Sequence, residues 1–343
     1  MATSATSGPT SPAPDTLLFR WFMDAGVSQV MQVAATLRLA DRIASGVTRV
    51  ADLARDAGAD ADALRRVLRF LACRGVFREV EPDTFAMTTA AEPLLDDHPS
   101  RFRRSQDLTG CAARQDRAYM ELLQAVRTGR ATYPAVFGRT LWEDLTAEPE
   151  LLDSFDAEMA IHHSPFVGPL AEHASWASAR RVVDVGGGSG RILARILDHH
   201  PHLSGALVDT GPTTAIAVRT LEPLRALGRC EIIEHDFFDG VPVSGDVFLL
   251  SNVVHNWSDD DVVRVLRLCT DAMEDNGRVL IVESLTDQAD PESVTQMDLW
   301  MLVLFAGRQR SYDEITALAA RADLQAVGAT PLGGEYTAIA LQR

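Results

Sequence analysis

The chain has 343 residues, 46% hydrophobic and 23% charged, which describes a globular protein long enough for two domains. Its formal net charge of -16 repels phosphate backbones and argues against nucleic acid as a substrate. No apolar run is long enough to span a membrane, and Cys73, Cys111, Cys230 and Cys269 are too scattered for a metal site, so buried thiols in a reducing cytoplasm are expected.

In chain order, positions 1–15 are rich in Ser, Thr, Pro and Ala, which predicts a disordered tail without the basic and apolar regions of a secretory signal. Apolar residues near helical spacing predict a helix over 16–45. Two further helices, VADLARDAG and ADALRRVLRFLACRG, then precede a hairpin, VFREV…TFAMT. Together they form a winged helix-turn-helix pattern. Taken alone it fits a DNA reader using Arg65, Arg66 and Arg69, or a dimerisation module, which the acidic whole favours. A helix is expected over 107–127, then a loop, RTGRATYPAVFG, then helices over 142–145 and 151–170. On the last of these Phe155, Met159 and His162 or His163 share a face, which periodicity alone reads as core, with both histidines structural. The expected domains are a tail, 1–15, a winged-helix dimerisation domain, 16–100, a helical linker and pocket region, 101–170, and a catalytic domain, 171–343.

The stretch RVVDVGGGSGRILARIL at 181–197 reads as a buried strand, a glycine turn and an amphipathic helix. The bland alternative is a plain tight turn. Four glycines at 186, 187, 188 and 190 otherwise suit a backbone against which a nucleotide can lie. Short apolar runs then alternate with helical patterns: HLSGALVD, EIIEHD, DVFLLS, GRVLIVES and finally YTAIAL. This predicts an α/β fold with a Rossmann-like, mostly parallel, doubly wound sheet. Ligands of such sheets bind outside the carboxyl ends of the strands, here Asp184, Asp209, Asp236, Ser251 and Glu283. Asp209 is spaced to accept both hydroxyls of a ribose, and Asp236 with Phe237 offers an acceptor and an aromatic surface for an adenine. Ser258 and Asp261 form a near capping box, so the acids at 259–261 complement a helix dipole. His255 lies on the loop just before that helix, above the sheet.

The glycine turn after Asp184 and Val185 resembles the first motif of class I S-adenosylmethionine (AdoMet) methyltransferases. With VD, HDFF, LSNVVHNWSDD, GRVLIVES and MDLWMLVLFAGRQRS in order, nearly the whole chain resembles the small-molecule O-methyltransferases of plant phenolic and bacterial aromatic-polyketide metabolism. The resemblance implies a homodimer formed through an N-terminal winged-helix domain, and methyl transfer from AdoMet to an aromatic hydroxyl. It implies that Gly186, Gly188, Asp209, Asp236, Phe237, Ser251 and Ser164 hold AdoMet. His255 is then the general base, supported by Glu283, and Met159, Asn256, Met301 and Phe155 line the acceptor pocket, with no metal. One departure stands out: where the family often carries a second supporting Glu, this chain has Gln309, so Glu283 alone supplies a charge. Trp300 and Phe305 are further candidates for pocket shape, and Arg308 or Arg310 for an acceptor carboxylate. Two other readings are an AdoMet-binding enzyme of other chemistry, such as hydroxylation, and a winged-helix regulator.

Overall fold

The computed structural model describes residues 14–343. Positions 1–13 of the expected tail lie outside the described residues, while Pro14 and Asp15 open the first helix. Contacts divide the chain into a unit ending at Pro99, with Gln106–Leu108, and a unit of Ser100–Ser105 and Thr109–Arg343.

In the first unit the single expected helix is three: Pro14–Asp24, Val27–Thr36 and Leu39–Ala44. The second break falls at Arg38, whose φ of 50 cannot continue a right-handed helix. Val50–Ala57 ends on left-handed Gly58, and Ala61–Cys73 begins at Asp60, whose carboxylate accepts the Ala63 N–H. Strands β1 (Phe77–Glu81) and β2 (Thr84–Met87) form the expected antiparallel hairpin. Leu53, Leu68, Leu71 and Phe85 fill the core. The three arginines considered as groove contacts are engaged within this unit: Arg65 with Asp62 and Asp83, Arg66 with Asp62, and Arg69 with Glu79 and Asp83.

The second unit opens with helices that sequence periodicity ran together. The 107–127 prediction is Cys111–Tyr119 and Leu122–Thr128, the supposed loop contains Tyr133–Phe137, and 151–170 is Pro149–His163 and Val167–Ala171, interrupted around Pro165. The sheet strands are β3 (Arg181–Val185), β4 (Ser204–Asp209), β5 (Cys230–Glu234), β6 (Gly245–Ser251), β7 (Met273–Ser284), β8 (Gln325–Gly333) and β9 (Tyr336–Gln342). Their order is β5-β4-β3-β6-β7-β9-β8, parallel as far as β7 and antiparallel beyond it.

Over the central strands β4, β3, β6 and β7 both faces are buried, because alternate residues of each strand serve opposite layers. Val182, Leu207 and Leu249 pack with Ile192, Leu193 and Ile196 of the Arg191–His199 helix. Val183, Val208 and Phe248 pack with Val262 and Leu266 of Asp259–Ala272 and Leu318 of Tyr312–Arg321. The strand order reverses between β3 and β6, which opens a crevice beyond their carboxyl ends. β8 was missing from the sequence reading, since it is an edge strand that is mostly exposed and contains Pro331.

Candidate active site at the strand ends

The turn after β3 is shaped by what lies against it. Gly186 has φ +71, and a Cβ there would lie 3.0 Å from a Val253 methyl and 3.6 Å from the Phe237 ring. Gly188 has φ +60 and open space at its missing side chain, and its N–H donates to Asp209 Oδ2 at 2.8 Å. This leaves a bare backbone surface flanked by Phe237 on one side and Asp209 on the other. Asp209 Oδ1 also accepts the Thr210 N–H at 2.7 Å, while burial pushes its carboxyl pKa up against those hydrogen bonds. Asp184 is 1% exposed and lies 2.6 Å from where a Gly187 side chain would sit, so it packs under the turn. Burial, with the nearby Asp209, raises it to about 7.

Asp236 is exposed and caps the short Phe237–Asp239 turn, accepting the Phe238 N–H at 2.9 Å. Phe237 meets Trp257 edge to face at 6.0 Å. Ser164 is exposed at the end of the Pro149–His163 helix. Ser251 is 8% exposed, and its Oγ has no partner among the described residues. Asp184 Oδ2, Asn252 Oδ1 and Ser284 Oγ are likewise buried and unpartnered, so orphaned polar atoms gather at the ends of β3, β6 and β7. Such atoms are costly unless a ligand or water completes them, and their place beside the open turn fits a polar nucleoside.

His255 follows β6 on a short turn, Val254–Asn256. Glu283, in β7 and 2% exposed, accepts the N–H groups of Val254 and His255 through Oε1 at 3.0 and 3.3 Å. Its Oε2 lies 2.7 Å from His255 Nδ1. A carboxylate only accepts, so Nδ1 carries the hydrogen and Nε2 keeps a free lone pair. The imidazole is 14% exposed, open to a reactant and largely shielded from bulk water.

The GRQR segment braces this histidine. A Cβ at Gly307 would collide with the His255 carbonyl oxygen, which accepts the Arg308 N–H at 2.9 Å. Arg310 is 2% exposed and donates to the carbonyls of Val254 and Trp257, each at 2.8 Å, while pairing with Asp259. Arg310 is thereby committed within the protein and not free to take an acceptor carboxylate, while Arg308, half exposed, pairs with Glu314. Gln309 is 4% exposed with its side-chain oxygen unpartnered, and Glu283 is the carboxylate bonded to the ring.

Phe155 meets Trp142 edge to face at 6.0 Å, and Trp142 stacks on Phe305 at 4.9 Å. Trp300 lies against Tyr119 at 4.4 Å. Met159 is half-buried, and Met301, 6% exposed, accepts the Gly307 N–H. Asn256 is 9% exposed, and its amide donates to the Asn252 carbonyl at 3.3 Å. His162 and His163 are held below the usual histidine range, His163 at about 4, by burial first. The sequence reading missed Asp156, on the same helix. It is 6% exposed and accepts Arg101, Arg191 and the Ser189 hydroxyl, which fastens the helix to the glycine turn. Arg101 is remote in sequence, and no local pattern marks such a link.

Residues 119–325 match the family model of the O-methyltransferase domain, and 22–97 that of the O-methyltransferase dimerisation domain. The chain belongs to the O-methyltransferase family. The 2,7-dihydroxy-5-methyl-1-naphthoate 7-O-methyltransferase of Streptomyces carzinostaticus is 38% identical, over 91% of this chain and 94% of the relative. The aclacinomycin 10-hydroxylase of Streptomyces purpurascens is 39% identical, over 86% of this chain and 80% of its own. A crystal structure of the O-methyltransferase from neocarzinostatin biosynthesis, with S-adenosylmethionine and 2-hydroxy-5-methyl naphthoic acid, superposes with a TM-score of 0.85 at 36% identity, covering 94% of this chain and 98% of that one. In this O-methyltransferase the domain match takes in the glycine turn, His255 and Glu283. The dimerisation match takes in the helices and hairpin that also fitted a regulator.

Proposed function

We propose that this O-methyltransferase moves the methyl group of AdoMet to a hydroxyl of a small aromatic acceptor, phenolic or polyketide-derived, with His255 as general base and without a metal. The observation that carries the reading is the 2.7 Å bond from His255 Nδ1 to Glu283, which leaves Nε2 to accept a proton. Gly186, Gly188, Asp209, Asp236, Phe237, Ser251 and Ser164 would hold AdoMet, in keeping with the bare turn and the unpartnered atoms around it. When bound, AdoMet supplies an electrophilic methyl.

This chain's residues then have two tasks. The first is alignment of acceptor against donor, which can be worth about 7 to 11 kcal/mol. Phe155, Met159, Asn256 and Met301 would serve it, on elements tied to the cradle by Asp156 and to His255 by the Arg308 N–H. The second is the acceptor's proton. A phenol with pKa near ~10 and an imidazole near ~6.5 differ by roughly 5 kcal/mol, so full transfer ahead of the reaction is disfavoured. His255 therefore takes the proton as the new bond forms, and Glu283 lowers the cost by stabilising the imidazolium.

Replacing His255 with Ala is expected to lower kcat by about 10² to 10⁴ fold while S-adenosylhomocysteine still binds. Undiminished turnover by that variant would sink the base assignment. A second reading deserves its own measurement because of the 39% identical hydroxylase. Product mass separates the two, since methylation adds the methyl and hydroxylation adds oxygen alone. We also infer a homodimer, supported by the dimerisation match and by the exposed Leu18, Phe19, Trp21, Phe22 and Met23 of one helix. A cytoplasmic location agrees with four unpaired thiols and with the fact that no helix among the described residues is long and apolar enough to cross a membrane.

A further inference from the structure

Glu158 lies three residues after Phe155 and four before His162, which puts all three on one face of the Pro149–His163 helix. That face meets Trp142 through Phe155. Glu158 Oε2 accepts from Gln115 Nε2 at 3.0 Å, and the same amide reaches Cys111 Sγ at 3.3 Å. Both hydrogens of that amide are thus committed, and Gln115 itself is 6% exposed. No arginine or histidine among the described residues forms an ion pair with Glu158. Burial pushes the carboxyl up to about 7, with Asp116 adding to the rise and Gln115 opposing it, although the side chain keeps partial exposure. With one oxygen held by an amide and no cation alongside, the second oxygen is left for a donor from water or a ligand.

We propose that Glu158 is a specificity residue, whose second carboxyl oxygen accepts a hydrogen bond from an amino or hydroxyl substituent of the aromatic acceptor other than the hydroxyl that is methylated. This rests on the reading above, in which Phe155 and Met159 line the acceptor pocket. A site built around such an acceptor atom discriminates against analogues that lack the donor.

Two matched pairs test it: 3-amino-4-hydroxybenzoate against 4-hydroxybenzoate, and 1,4-dihydroxy-2-naphthoate against 1-hydroxy-2-naphthoate. Each is measured by calorimetry with S-adenosylhomocysteine present and by turnover with AdoMet, on the unaltered enzyme, Glu158→Gln and Glu158→Leu. The unaltered enzyme is expected to favour the donor-bearing member of at least one pair by about 10 to 100 fold, Glu158→Leu to erase that ratio, and Glu158→Gln to keep part of it. A structural role would weaken both members together and leave the ratio alone, and the Gln variant carries the test if the Leu variant does not fold. An unchanged ratio, or none in the unaltered enzyme, overturns the proposal. A binding ratio that depends on Glu158 without any methylated product sinks the transferase reading and leaves the specificity role standing. No binding of either member of either pair counts against both.

Discussion

At the scale of single residues, the fixed orientation of the His255 ring depends on one carboxylate serving three N–H groups. Glu283→Gln keeps the volume, but its amide presents a donor where one of the three needs an acceptor. Its kcat is expected to fall by about 10² fold or more, with S-adenosylhomocysteine affinity held within about threefold. Steady-state rates beside calorimetry check this, and equal loss of binding and rate would show a general collapse instead. His163 gives a pH signature. Its folded pKa of about 4 lies below the ordinary value, so the unfolded chain binds the extra proton in between. Its contribution is complete above about pH 6.5 and is lost as pH falls toward 4. Melting curves over that window should flatten in His163→Gln if its burial sets the slope. The strand-end residues were legible in the sequence because position along a parallel strand determines which residues reach the crevice, whereas the engagement of Arg308 and Arg310 was not. Their partners, Glu314, Asp259 and two backbone carbonyls, are chosen by tertiary approach and not by spacing.

At the scale of elements, helices ran together in the sequence reading wherever apolar periodicity continued across a break. Arg38, Met120 and Pro165 interrupt regular hydrogen bonding without a strong change in composition, except at the proline. The parallel strands were legible because burial on both faces demands continuous apolar runs. β8 lacked that demand, with one side open to water. The Pro149–His163 helix makes its prediction through Asp156. Despite burial, which acts the other way, Arg191, Ser189 and Arg101 keep this carboxyl below the usual range. Its stabilisation is thus present above the unfolded pKa and is lost as pH falls through the lower folded value. Asp156→Asn is expected to weaken AdoMet binding several-fold and to lower stability by about 1 to 3 kcal/mol at neutral pH. It should also lose part of the decline seen in acid. Denaturant titrations at two pH values, with ligand titration, test all three.

At the scale of the whole molecule, the exposed apolar residues of Pro14–Asp24 predict self-association. Sedimentation should give a dimer, and Trp21→Glu with Phe22→Glu should shift it toward monomer by about tenfold or more in dissociation constant. A monomer at every concentration would remove the inference.

The sheet's closing order has its own meaning for biosynthesis. β9 enters between β7 and β8, and Thr337 faces Glu283 across the ladder, so the strand that holds the His255 ring through Glu283 gains its outer neighbour from residues translated after it. Until those residues leave the ribosome, an apolar strand has a bare rim, the condition under which nascent chains stick to one another. Nonsense mutations that end the chain just before β9 should therefore give insoluble protein and not a weakened enzyme.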